Sequence, residues 1–157
     1  MPLFLNVNLN LSPGESTLVV ALWLGIGVTA SFNAGRIIGF FKGEHRTLRI
    51  AFGLTTLAFV LAFVAAILNS WGTALVLLVL SGPPYFLTFP VLYGIIGMST
   101  SRKHLGLAYA INLSLSLLAS SAISYVAGYL SSIYSLAVIL PILVLSAIGA
   151  SLTTFLL

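Results

Sequence analysis

Proton transfer and metal binding need acids, histidines or thiols, and this sequence holds few of them. There are two acids, Glu15 and Glu44, and two histidines, His45 and His104, with no aspartate and no cysteine. Without cysteine there is no disulfide, thiolate ligand or cysteine nucleophile. No two carboxylates lie together, and each histidine sits beside basic residues rather than at metal-ligand spacing. Serine-hydrolase, phosphate-loop and zinc-helix signatures are missing. The sequence therefore predicts no enzyme, no metal site and no cofactor.

What remains is uncharged and regularly spaced. Asn112, Ser116, Ser120 and Ser124 recur every fourth residue, and Tyr109 extends the row. Gly25, Thr29 and Asn33 share that spacing, as do Tyr85, Phe89 and Tyr93. On a helix such residues form a stripe drifting about 40° per step. A stripe of this kind serves either close helix packing or the lining of a polar pathway, and the sequence leaves both open. The stretch SGPPYFLTFPVLYG adds Pro83, Pro84 and Pro90. Each proline removes a backbone donor, so carbonyls on the preceding turn must find other partners.

The elements that carry these residues follow from composition. Of 157 residues, 60% are hydrophobic and 5% charged, with mean hydropathy +1.19. An ordinary soluble domain is about a quarter charged. The expected fold is all-α: a polytopic integral membrane protein of about five transmembrane helices, at 17–40, 48–68, 73–98, 105–129 and 133–155. Each run approaches the roughly 20 apolar residues that cross a hydrocarbon core of about 30 Å. Residues 1–16 form an external N-terminal segment, and 17–157 form the bundle.

The stretch GRIIGFFKGEHRTLR, residues 35–49, holds four of the six Lys and Arg: Arg36, Lys42, Arg46 and Arg49. Arg102 and Lys103 lie in the other basic loop. The connections NSWG and LSSIY are uncharged and read as tight turns. The positive-inside rule then puts both basic loops and the C-terminus in the cytoplasm, and the N-terminus outside. Arg36 falls near the inner interface, as an anchor or as a latch to another helix end. The net charge of +4 reflects these loops and implies no nucleic-acid partner. By polarity, the first, third and fourth spans read as interior, and the second and fifth as lipid-facing.

With these elements in place, the chain resembles the C-terminal half of a major facilitator superfamily transporter over essentially its whole length. PLFLNVNLNLSPGEST resembles the outer end of the family's seventh helix and the loop after it, and the five spans resemble helices eight to twelve. The 35–49 stretch falls at the family's basic loop between helices eight and nine. Gly35, Ile37, Gly43 and Arg46 resemble positions of that loop, without its aspartate. SRKHLGLAYA resembles the basic start of the eleventh helix. The resemblance implies part of a secondary-active permease in the plasma membrane, moving a small solute by alternating access. Its substrate pathway would run along Thr29, Asn33, Tyr85, Phe89, Tyr93, Tyr109, Asn112, Ser116 and Ser120. Gating contacts would fall at Gly35, Arg36, Gly43 and Arg46, and a helix kink at Pro83, Pro84 and Pro90. The implied partners are the lipid bilayer, the solute, and a missing N-terminal six-helix half or a second copy. The reading of the residues alone also leaves a second class open, a non-transporting membrane scaffold or accessory subunit.

Overall fold

The computed structural model describes residues 12–134 and 139–156. Among these the chain is helical, with no strand. In order the helices are α1 (Pro13–Phe32), α2 (Ala34–Phe41), α3 (Glu44–Ile67), α4 (Trp71–Leu80), α5 (Gly82–Ser99), α6 (Leu105–Tyr134) and α7 (Ile139–Leu156). Four stretches are long and apolar enough to cross a membrane: Pro13–Phe32, Glu44–Ile67, Trp71–Ser99 and Leu105–Leu130. They correspond to the first four expected spans. The fifth expected span, 133–155, falls on the end of α6, on α7 and on residues 135–138, which lie outside the described residues. The expected external segment is likewise outside them up to residue 11.

Two expected spans are each built from two helices. Asn33 separates α1 from α2, and Ser81 separates α4 from α5, yet hydrogen bonds continue across both joints. Asn33 N–H reaches the Ala30 carbonyl at 3.2 Å, and Ile37 N–H reaches the Asn33 carbonyl at 3.1 Å. Tyr85 N–H reaches the Ser81 carbonyl at 3.1 Å, just past Pro83 and Pro84 in the first turn of α5. The joints are therefore local breaks in longer rods rather than loops.

Helix starts and turns have local causes. Ser12 caps α1: its hydroxyl accepts from Glu15 N–H at 3.3 Å, while the Glu15 carboxylate accepts from Ser12 N–H at 2.7 Å. Pro13 supplies the preset first turn. Lys42 ends α2 in the left-handed conformation, φ 61°, and Gly43 N–H closes the turn on the Ile38 carbonyl at 3.1 Å. Asn69, φ 55°, turns α3 into α4, as expected of NSWG. LSSIY is not a turn. It lacks glycine, proline and asparagine, so nothing stops the helix, and α6 runs through to Tyr134.

The burial pattern departs from the one read from polarity: the second span is as buried as the third, and the fourth, read as interior, is exposed. α3 is the hub, packing against α4, α5 and α7, while α1 packs mainly on α5. On α3, Ala51, Ala62, Ala65 and Ala66 are buried with Thr47 and Thr55. These small side chains let neighbouring helices come close. One core joins Phe59 and Ala62 of α3 to Ala74 and Leu78 of α4 and Ala147 of α7. A second joins Leu48 and Ala51 to Ala34 of α2 and to Leu87 and Val91 of α5. The span on α6 has none of its best apolar window buried.

Candidate functional site

α1 and α5 pack closely, and proline chemistry explains part of the contact. Pro90 has no N–H, so the Phe86 carbonyl four residues earlier loses its helical donor. The Ser31 hydroxyl of α1 donates to that carbonyl at 2.8 Å. One turn away, Gly27 lies directly against the Phe86 ring. One turn further, the Trp23 indole N–H donates to the Ser81 hydroxyl at 3.2 Å. Trp23 also stacks on Tyr85, with ring centroids 5.6 Å apart. Tyr85 meets Phe89 edge-on at 5.5 Å. Trp23, Gly27 and Ser31 thus form the packing stripe of α1, spaced i, i+4, i+8.

The stripe expected from the sequence is a different one. Gly25, Thr29 and Asn33 lie two residues along, about 200° around the helix, and all three are exposed. The Thr29 hydroxyl donates to the Gly25 carbonyl at 2.9 Å, and the Asn33 amide donates to the Thr29 carbonyl at 2.9 Å. On α6, the Ser116 hydroxyl donates to the Asn112 carbonyl at 2.8 Å. Ser116, Ser120 and Ser124 are exposed, Asn112 is half-buried, and the Asn112 amide has no partner among the described residues. α1 and α6 are not packed neighbours, so the chain alone does not bring these two stripes together.

The aromatic row on α5 splits between two neighbours. Tyr85 belongs to the Trp23 cluster, Phe89 is 41% exposed, and Tyr93 meets Tyr109 of α6 at 5.3 Å between centroids. The Tyr109 hydroxyl donates to the Tyr93 carbonyl at 3.2 Å. Tyr109 also lies against Gly97, and Glu44 against Gly94. Those contacts put the turn at Lys42–Gly43 and the loop at 100–104 on one end of the bundle. Gly35 has open space around it, and Arg36, Lys42 and Arg46 are exposed with no side-chain partner among the described residues.

Beside that end, α1, α2, α3 and α5 leave a half-open cleft of about 180 Å³ whose lining is wholly apolar. Pro83, Pro84 and Leu87 border it from α5, Ile37 and Phe41 from α2, and Ile50 and Leu54 from α3. Thr47 lines it too, but its hydroxyl donates to the Gly43 carbonyl at 2.7 Å and so is turned onto its own helix. Sequence reasoning missed this cleft, Trp23, Phe86 and Ser31. The need of the Phe86 carbonyl for a hydroxyl was legible from Pro90; the identity of the donor required the helix pairing. Among the described residues no group of acids and histidines could hold a metal ion. No protein-family model, curated protein or solved structure matches the chain.

Proposed function

We propose that this chain is a membrane-embedded helical bundle forming one wall of a secondary transporter for a small neutral solute, completed by a second bundle or a second copy. The observation that carries the reading is the outward direction of the polar stripes. Thr29 and Asn33 lie on the face of α1 opposite its packing face, and Ser116 and Ser120 lie on a helix with no buried window. Lipid offers no hydrogen bonds, so a polar face on an apolar helix is best matched by protein or a wetted pathway. The joints at Asn33 and Ser81 add segments of the kind that move in transporters. The absence of acids from the helix interiors leaves any proton-coupling group to the partner.

Reconstitution tests this. The pure monomer in liposomes is expected to take up none of a panel of neutral solutes. Uptake by the monomer overturns the need for a partner. In cells that show uptake, Asn33→Leu and Asn112→Leu are expected to abolish it at unchanged membrane levels. Loss of assembly instead of uptake favours the second reading, a non-transporting scaffold. One observation supports that reading: Thr29, Asn33 and Ser116 already bond their own helix backbones, which satisfies them without a pathway.

A further inference from the structure

We propose that the apolar cleft between α1, α2, α3 and α5 is a site for an anionic phospholipid, with one acyl chain in the cleft and the phosphate among Arg36, Lys42 and Arg46. The floor of the cleft is buried Thr47, Ala51 and Leu87, and no polar atom lines it. A water-soluble solute would find no hydrogen bond there, whereas a hydrocarbon chain needs none. The cleft is half-open, so a chain can enter it from outside the bundle. Its lining residues on α1 and α2 span Ala30 to Phe41, about 16 Å of chain at about 1.5 Å of helical rise per residue. One leaflet of a hydrocarbon core of about 30 Å is about 15 Å deep.

The charge at its end selects the headgroup. Phe41 and Thr47 line the cleft, and Lys42 and Arg46 are their neighbours in sequence. Arg36 precedes Ile37, another lining residue. The Gly43 N–H bond to the Ile38 carbonyl holds the backbone of the Lys42 turn, one residue beyond Phe41. The nearby carboxylate, Glu44, lies against Gly94 of α5. An apolar slot ending in partnerless cations fits a negatively charged amphiphile better than a neutral lipid or a free anion. The proposal rests on the bundle sitting in a bilayer and not on transport.

The test uses the full chain in nanodiscs, whose formation reports insertion separately. Phosphatidylglycerol and phosphatidylcholine, each with a photoreactive group in one acyl chain, are compared, and adducts are mapped by mass spectrometry. Phosphatidylglycerol adducts are expected on Phe41, Ile50 and Leu54. Each of Arg36→Gln, Lys42→Gln and Arg46→Gln is expected to lower that yield about fivefold, with phosphatidylcholine labelling unchanged. Ala51→Phe, which fills the floor, is expected to remove the adducts; if it misfolds by circular dichroism, the three surface variants decide. Equal labelling by both lipids, or adducts confined to the exposed leucines of α6, overturns the proposal. So does displacement by excess inorganic phosphate, which would make the mouth a site for a free anion.

Discussion

The Phe86 carbonyl shows how one residue type dictates a contact far along the chain. Pro90 orphans it, and Ser31, 55 residues earlier, supplies the missing donor. Ser31→Ala is expected to lower stability by about 1–2 kcal/mol, because an unpaired carbonyl remains. Thermal unfolding in detergent measures this, and a second change, Pro90→Ala, should recover part of the loss by restoring the helical N–H. The glycines of these helices are not equivalent. A Cβ on Gly82 would stand 2.6 Å from the Trp23 carbonyl oxygen, while one on Gly25 meets nothing within 4 Å. Gly82→Ala should therefore cost about 1–3 kcal/mol through overpacking. Gly25→Ala should be neutral or gain up to about 1 kcal/mol of helix propensity. The same melting experiment separates the pair. The sequence marks Gly25 and Gly82 alike; only the approach of α1 to α5 distinguishes them.

At the scale of elements, helix existence was legible and helix rank was not. Hydropathy located the four long apolar stretches, but it carried the first to 40, past the end of the long helix at Phe32, and began it at Thr17, where the apolar run starts. The Ser12–Glu15 capping box with Pro13 was the better signal and starts α1 at Pro13. Polarity then favoured α6 for the interior because it carries Asn112 and its serines. The buried helix is α3, whose alanines permit close approach. Ala62, fully buried between helices, should not accept leucine: Ala62→Leu is expected to destabilise the bundle by about 1–3 kcal/mol. Ala119→Leu on exposed α6 should change the isolated chain little. If Ala119→Leu blocks pairing with a second bundle while leaving the melting point unchanged, α6 is the joining surface.

Across the whole molecule, the two basic turns share one end and the Asn69 turn is at the other. The chain has no cysteine, so single cysteines can report this directly. Lys42→Cys and Lys103→Cys are expected to react with a membrane-impermeant maleimide from the cytoplasmic side only, and Asn69→Cys from the outside only. Labelling of Lys42→Cys and Lys103→Cys from opposite sides would contradict the shared end. The shared end was legible because the basic residues fall in alternate connections between the long apolar runs. The pairing of α3 with α7 was not, because nothing local announces it. There Thr56 donates to the Ala147 carbonyl at 3.0 Å and meets the Ser151 hydroxyl at 2.6 Å, across 91 and 95 residues. That separation sets a clock on biosynthesis. At about 5–20 residues per second, the ribosome delivers the partner of Thr56 some 5–20 s after Thr56 itself. Until then the central helix carries an unfinished side past the insertion machinery. A stall between α6 and α7 would present that side to quality-control proteases.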